Sequence, residues 1–446
     1  MRGVNGGWRS PARLVPLAFL AVIVLGAAVL MLPVSRSDPS ASPWVPSMFT
    51  SVAAVCVTGL STVDASTFWT PFGQAVILAL IQVGGFGIMT LATLLSLLVA
   101  GRLGLRSMLV VQSESHTLNL GDVRAVLRRV AITMVSFEVV IAVVLTIRFM
   151  VGYHRGLGSA VWHGVFHAVS AFNSAGFSLY SDSLTRFVVD PWICFPLCVA
   201  VIGGGIGFPV LVELYRRYRR PSLWSVHMRL TVYGTLILLG VGIGGVLLFE
   251  WSNPDTLGHL GVGGKLVAGV TGGVMPRTAG FASIDYGLVT SPTRFLTDIL
   301  MFIGGGSAGT AGGIKVGTFF LLAFVIWGEI RGEPDVKVGH RSIPYLSQRL
   351  ALVVALLGIG AVTVGTFLIL QLSHLPLDEV LLETVAAFST AGLSTGITAS
   401  LPTSAQVVLM ILMYVGRVGT VTVATALALN RRHRLYRLPE ERPIIG

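Results

Sequence analysis

One short pattern occurs four times at nearly even spacing. Its copies read Val57-Thr58-Gly59-Leu60-Ser61, Ser174-Ala175-Gly176-Phe177-Ser178, Thr278-Ala279-Gly280-Phe281-Ala282 and Thr390-Ala391-Gly392-Leu393-Ser394. The glycines lie 117, 104 and 112 positions apart. A repeat constrains a fold more than any local propensity, because each copy is one structural unit and the copies must pack together. Each pattern closes a mildly apolar piece: Val45–Val57, Val161–Phe172, Leu266–Met275 and Leu377–Phe388. Apolar pieces of roughly 10–14 residues are too short to cross a bilayer and suit re-entrant segments.

Composition places these pieces in a membrane. Of the 446 residues 53% are hydrophobic and only 11% charged, with a mean hydropathy of +0.81. Soluble domains carry about 25% charged residues, so a soluble enzyme is excluded. The three cysteines, Cys56, Cys194 and Cys198, have no metal-site spacing, and an odd count argues against a disulfide framework. They read as small buried apolar residues. The net charge is +11, and 22 of the 31 Lys and Arg residues fall in five clusters. Arg2, Arg9 and Arg13 form the first, and Arg102, Arg106, Arg124, Arg128 and Arg129 the second. Arg216, Arg217, Arg219, Arg220 and Arg229 form the third, and Arg331, Lys337, Arg341 and Arg349 the fourth. Arg431, Arg432, Arg434, Arg437 and Arg442 close the chain. Such clustering reflects the positive-inside rule, not nucleic-acid binding. With all five clusters cytoplasmic, both termini are inside.

Five inside clusters divide the chain into four units: 1–100, 101–217, 218–331 and 332–446. The outward spans are Leu14–Val34, Val126–Val151, Leu230–Trp251 and Leu350–Leu372. The first is long enough to span, so it reads as a transmembrane helix and not a cleaved signal. The inward spans are Phe72–Val99, Trp192–Tyr215, Phe295–Trp327 and Ala405–Leu429. The expected fold is an all-α polytopic membrane protein. Four consecutive helix–pore loop–helix repeats surround one central pore, with eight spanning helices and four re-entrant pore helices. The pore loops fall at 45–61, 161–178, 266–282 and 377–394.

The third inward span holds an unusual stretch, Phe302–Thr318, with seven glycines. Each glycine costs about 1 kcal/mol against alanine in a helix. Unwound backbone at membrane depth is tolerated only where protein buries it or where it lines a cavity. The segment 304–313, with Gly304, Gly305, Gly306, Gly309, Gly312 and Gly313, therefore reads as a flexible break facing the pore, with Lys315 just beyond. A tightly packed Gly-rich helix crossing is the alternative. It is not a phosphate loop, because Lys315 follows Ile314 and precedes Val316. The inward spans also carry Val83-Gly84-Gly85-Phe86-Gly87, Ile202-Gly203-Gly204-Gly205-Ile206-Gly207 and Val415-Gly416-Arg417-Val418-Gly419. In the first two, close helix approach is a sufficient reading.

The repeated pattern suits a cation filter. Backbone carbonyls can replace an ion's water. Gly59, Gly176, Gly280 and Gly392 tolerate positive φ. Thr58, Ser174, Thr278 and Thr390 can anchor the loop or offer hydroxyl oxygens, beside Val57, Ala175, Ala279 and Ala391. Each re-entrant helix would aim its C-terminal end, about half a negative charge, at the filter. No filter position holds a carboxylate, which suits a monovalent ion better than Ca²⁺ or Mg²⁺. Arg417 lies deep in the last span, where a charge is functional or paired. With the 304–313 loop and Lys315 it forms the expected gate. The alternative is a packing pair with Glu383 or Asp298. Arg277 would brace the outer side of the third loop, and Glu383 would be its counter-charge or an external attraction for cations. His163 and His167 share one helix face and read as structural. With Ser170 and Ser174 they are also the only nucleophile–base set a membrane-embedded enzyme could use.

These motifs resemble the Trk/Ktr/HKT superfamily of potassium transporters. The resemblance covers nearly the whole chain. It rests on the four filter glycines, on IGGGSAGTAGGIKVGT at Ile303–Thr318 as the intramembrane gating loop, and on Arg417 in YVGRVGT. A single span before the first loop is more similar to the KtrB branch than to the TrkH branch. The resemblance implies potassium uptake across a bacterial inner membrane by a channel-like subunit, without enzymatic chemistry. It implies a homodimer in the lipid bilayer and a cytosolic RCK-type regulatory subunit (KtrA- or TrkA-like) that binds ATP, ADP or NAD. Potassium is the transported ion and sodium a second candidate; no organic cofactor is expected in this chain. Family members with Ser at the first filter Gly pass sodium, so Gly59 favours potassium. The rival is a sodium-coupled or sodium-permeable monovalent cation carrier.

Overall fold

The structure, a computed structural model, describes residues 11–38, 43–103, 120–339 and 341–419. It is mostly helical. The first quarter contains α1 (Pro11–Leu30), the short α2 (Trp44–Val55) and α3 (Pro71–Leu103). The second contains α4 (Leu120–Tyr153), the short α5 (Leu157–Phe172), α6 (Pro191–Ile206) and α7 (Phe208–Arg217). The third contains α8 (Val226–Glu250), the short α9 (Val262–Val274), α10 (Ser291–Ile303) and α11 (Val316–Ile330). The fourth contains α12 (Tyr345–Leu372), the short α13 (Leu377–Phe388), α14 (Thr403–Tyr414) and one π-helical turn, Val415–Gly419. A two-residue hairpin, Lys337–Val338 against Arg341–Ser342, joins the last two quarters. The basic clusters at both termini and Arg102 and Arg106 lie outside the residues whose side chains are described, as does the last span beyond Gly419.

The quarters close on one another. The helix that follows each short helix packs against the short helix of the next quarter: α3 on α5, α6 on α9, α10 on α13 and α14 on α2. The Tyr414 hydroxyl donates to the Pro16 carbonyl at 2.7 Å, tying the last helix to the first. The short helices bury most of their residues, while the long helices expose apolar ones. On α4 these are Ile132, Val135, Val139, Val140, Val143 and Ile147. Apolar side chains turned outward and a packed interior are the arrangement of a protein solvated by lipid. The three cysteines are free and buried.

Among the described residues, four helices are long and apolar enough to cross a membrane, or five if α6 and α7 count as one. The eight continuous spans read from sequence are thus not all present as single helices. The Phe295–Trp327 segment breaks between α10 and α11. The Trp192–Tyr215 segment, read as one closely packed span, is bent by 101° between α6 and α7. Gly207 sits at the bend with φ 98°, a conformation that disfavours any side chain. A methyl group there would lie 2.3 Å from the Ser307 carbonyl oxygen. The bend thus lies directly against the Gly-rich loop.

Other glycines bring helix backbones together. A methyl group on Gly84, Gly204 or Gly416 would lie 2.1, 1.9 or 1.8 Å from the carbonyl oxygens of Val55, Phe172 and Phe388, the last residues of α2, α5 and α13. A side chain at such a site forces the backbone apart, and overpacking typically costs about 1–3 kcal/mol. Gly204→Ala should lower the thermal midpoint in detergent by several degrees. Gly87→Ala is the control, since its methyl would meet only Phe19 at an ordinary 3.7 Å. Equal midpoints for the two variants would contradict this account of the packing.

Candidate ion pathway and gate

Each short helix ends in a loop of the same backbone form. φ is positive at Val57, Ser174, Thr278 and Thr390, not positive at the next residue, and positive again at Gly59, Gly176, Gly280 and Gly392. The values are 57°, 59°, 66° and 47° for the first set and 89°, 71°, 72° and 78° for the glycines. In an extended strand successive carbonyls point to opposite sides. A left-handed residue at every second position cancels that alternation and lets neighbouring carbonyls face one way. Three of the four first-set residues are β-branched, the least tolerant type in this region. Backbone strain of about 1–3 kcal/mol per residue persists only where the surroundings impose it, and it clusters at functional sites. The hydrogen bonding repeats as well. The amides of Thr58, Ala175 and Ala391 donate five residues back, to Ala53, Ser170 and Ala386, at 2.7, 2.7 and 2.8 Å. The third copy differs, with the Ala279 amide donating four back to Met275 at 3.0 Å.

The four hydroxyl residues grouped in the sequence do not share one position in this register. Thr58 stands in line with Ala175, Ala279 and Ala391, not with the hydroxyl residues Ser174, Thr278 and Thr390. Val57 occupies their position. The hydroxyls then do different work. Ser174 Oγ pairs with Thr310 Oγ1 at 3.1 Å, and Thr278 Oγ1 accepts from the Gly312 amide at 3.2 Å. Thr58 Oγ1 and Thr390 Oγ1 are buried without a hydrogen-bond partner.

The four glycines form a closed cycle. A methyl group on Gly59 would lie 2.2 Å from the Ala175 carbonyl oxygen, and one on Gly176 would lie 2.9 Å from that of Ala279. One on Gly280 would lie 2.9 Å from the Ala391 oxygen, and one on Gly392 would lie 2.0 Å from that of Thr58. Each loop thus touches the next, and the fourth touches the first. The chain is confined to one small ring, at which the C-terminal ends of α2, α5, α9 and α13 converge.

The Gly-rich loop lies against this ring. From Ile303 to Ile314 every residue is buried except Ser307, which is half-buried. The loop is tied in place. Gly306 and Thr310 amides donate to the Gly205 and Gly204 carbonyls at 2.7 and 3.0 Å. The Phe208 amide donates to Ala308 at 3.3 Å, and the neck is closed by Ile314 and Lys315 amides on Phe302 and Ile303, both at 3.0 Å. Thr310 Oγ1 donates to the Phe172 carbonyl at 3.0 Å. A methyl group on Gly312 would lie 2.0 Å from the Ser389 carbonyl. The break expected from sequence is present, but in this state it is ordered and touches three of the four loops.

Arg417 holds the loop from below. It is 3% exposed, and its Nη1 donates to the Thr310 carbonyl. Its Nε and Nη2 have no hydrogen-bond partner, and among the described residues it forms no ion pair. The alternative of a packing pair with Glu383 or Asp298 is therefore not what the structure contains. Lys315, with φ 81°, donates through Nζ to the Ala311 carbonyl. Two cationic side chains thus hold carbonyls of the same loop.

A family model described as TrkH, a cation transport protein, matches residues 10–433. The chain belongs to the TrkH cation transport family. It is 37% identical to the Ktr system potassium uptake protein B of Bacillus subtilis over 437 residues, covering 98% of this chain and 97% of that one. It is 35% identical to the protein of the same name from Vibrio alginolyticus, covering 97% and 94%. It is 32% identical to the potassium/sodium uptake protein NtpJ of Enterococcus hirae, covering 98% and 97%. Its fold is similar to the crystal structure of the potassium transporter TrkH from Vibrio parahaemolyticus. The TM-score is 0.70 at 18% identity, with 94% of this chain and 86% of that one covered.

Other charged residues of this TrkH-family chain find different places than the sequence suggested. Arg277 does not brace the outer side of its loop. Its Nη1 donates to the Thr235 carbonyl at 3.0 Å and its Nη2 to that of Gly304 at 3.3 Å, so it secures the start of the Gly-rich loop. Carbonyls at the end of α10 lack intrahelical partners, and a guanidinium satisfies them. Glu383 is not a counter-charge to Arg277. It is fully buried and accepts from Ser394 Oγ and, at 2.8 Å, from Thr398 Oγ1, stitching α13 to the segment beyond Gly392. His167 is bonded to the His163 carbonyl at 2.8 Å and to Ser178 Oγ at 3.1 Å, a structural role. The described residues contain no group of three metal-binding side chains. Sequence reading missed Glu138, a buried carboxylate in the middle of α4. A lone acidic residue inside a long apolar run was the available signal.

Proposed function

We propose that this chain is the membrane subunit of a Trk/Ktr-type potassium uptake system, and that potassium passes along the axis of the four-glycine ring. The closed cycle of loops carries this reading. It brings four backbone segments of the same form to one point, and carbonyls turned toward that point can replace a cation's hydration shell. Four helix C-terminal ends add negative potential there. On this reading α2, α5, α9 and α13 are re-entrant pore helices, and the units 1–100, 101–217, 218–331 and 332–446 are four repeats. Filter oxygens come from Val57–Gly59, Ser174–Gly176, Thr278–Gly280 and Thr390–Gly392. The loop 304–313, Lys315 and Arg417 form the gate on the inner side, and the ordered loop is its closed state. The work is transport, not covalent chemistry. Inward flux is driven by the membrane potential, worth about 2.3 kcal/mol per elementary charge per 100 mV.

Relatives named as proteins of a Ktr system support a partner subunit. The reading assigns a cytosolic RCK-type subunit binding ATP, ADP or NAD to the basic inner face of a homodimer. The membrane is a bacterial inner membrane with both termini inside. The relative named for potassium and sodium uptake, at 32% identity, supports sodium permeation as the second reading.

The test is uptake of potassium and sodium in a bacterium lacking its own potassium uptake, with the cytosolic partner co-expressed. Potassium-selective uptake is expected. Equal uptake of both ions would favour the sodium-permeable carrier, and no uptake of either would sink the transport reading.

A further inference from the structure

Glu138 is the only acidic residue between Arg124 and Tyr153, and it falls 14 residues from one end of that apolar span and 15 from the other. A carboxylate at that depth is costly, so it is retained for a reason. Its neighbours Val135, Val139 and Val140 face outward, but Glu138 itself is 6% exposed. Its two oxygens accept from two amides, Gln82 Nε2 of α3 at 3.0 Å and Asn173 Nδ2 at 3.1 Å. The Asn173 NH₂ group also lies 3.1 Å from Gln82 Oε1 and 2.9 Å from the Val169 carbonyl, so its two hydrogens are shared among three acceptors. The three side chains form a closed triangle behind the second loop.

Asn173 is the residue through which this triangle reaches the ion pathway. It lies between Phe172, whose carbonyl accepts from Thr310, and Ser174, whose hydroxyl pairs with Thr310. A methyl group on Gly85 would lie 1.8 Å from Asn173 Oδ1, so the α3 glycine is the space in which this amide sits. The corresponding residues of the other loops are Cys56, Arg277 and Ser389, so the device belongs to the second loop alone. A carboxylate offers acceptors only. It therefore forces both amides to turn their NH₂ groups toward it. An amide pair without it could rotate and still bond.

We infer that Glu138 is a positioning residue for ion selection: acting through Asn173, it fixes the backbone of Ser174–Gly176 and the seat of Thr310. The inference rests on the filter reading above. Its test uses the full-length chain in the same uptake assay, at matched membrane abundance, and reads the ratio of potassium to sodium uptake. Glu138→Ala should lower that ratio about tenfold, and Asn173→Ala should do the same. The double variant should be no worse than either, because both act on one path. Glu138→Gln keeps the volume but replaces one acceptor by a donor, and should fall between. If Glu138→Ala does not reach the membrane, Glu138→Gln carries the test. An unchanged ratio in the Glu138 and Asn173 variants, with Gly59→Ser changing it, overturns the inference and leaves the filter standing. Equal loss of both ions overturns it too, since a merely structural role predicts that. An unchanged ratio in Gly59→Ser as well brings down the filter reading and this inference with it.

Discussion

Gly59→Ser should cut the potassium-to-sodium uptake ratio by about tenfold or more at equal membrane abundance. Two separate costs act at this position. The φ of 89° disfavours any side chain, by about 1–2 kcal/mol in the left-handed region. The added carbon would also lie 2.2 Å from the Ala175 carbonyl oxygen. Real side chains do not sit that close, so the Ala175 carbonyl or the Gly59 backbone must move. Either movement displaces an oxygen of the proposed filter. A tenfold change corresponds to only about 1.4 kcal/mol of lost discrimination, no more than the roughly 1–2 kcal/mol of backbone strain alone. The ring also predicts an order. The nearest atom to a new methyl is 2.0 Å away at Gly392 and 2.2 Å at Gly59, but 2.6 Å at Gly176 and 2.8 Å at Gly280. Alanine should therefore damage discrimination most at Gly392 and Gly59. Potassium and sodium uptake measured for the four variants checks this. A Gly59→Ser chain that discriminates as the native one does would remove the ring from the pathway.

Much of this arrangement was legible because it is periodic. The copy at Leu377–Phe388 coincides with α13 to the residue, since the helix is bounded by Pro376 before it and the small-residue loop after it. The first copy was read two residues too long, to Val57. The left-handed φ of Val57 ends the helix at Val55, and nothing local to the sequence announces a β-branched residue in that conformation. Grouping Thr58 with Ser174, Thr278 and Thr390 as hydroxyl anchors rested on chemical likeness. Thr58 stands one position later in its motif than the other three, and its hydroxyl is buried without a hydrogen-bond partner. Two further features depend on contacts that no local pattern contains. The run Gly203-Gly204-Gly205 reads alike for a close helix contact and for a docking edge. Only the amides of Gly306 and Thr310, about a hundred residues later, make its carbonyls an edge for the loop. Arg277 likewise finds the carbonyls of Thr235 and Gly304 on separate helices. Its position before the third loop gave no direction, outward or inward.

Arg417→Ala should raise basal potassium flux in the absence of the cytosolic partner, by about tenfold to a hundredfold. On the proposed gate reading, the guanidinium has two jobs in the closed state. One is electrostatic. A unit charge roughly 6 Å from a passing cation, at an effective dielectric near 20, opposes it by about 3 kcal/mol, or roughly a hundredfold in occupancy. No neighbouring carboxylate offsets it among the described residues, and two of its nitrogens are unpartnered. The other job is mechanical. Its hydrogen bond to the Thr310 carbonyl pins the loop beneath the ring, and a charged hydrogen bond contributes about 1.5–3 kcal/mol. Two further variants separate these roles. Arg417→Lys keeps the charge and loses the planar fork, so a charge barrier survives it and a latch does not. Thr310→Val keeps the Arg417 charge and its carbonyl contact but removes the hydroxyl that bonds Phe172 and Ser174. It should loosen the loop and raise flux less than Arg417→Ala does. Flux is best measured in proteoliposomes holding this chain alone, with potassium and sodium compared. If Arg417→Ala leaves basal flux at the native level, Arg417 is neither barrier nor latch, and closure must come from the backbone bonds between the loop and α6.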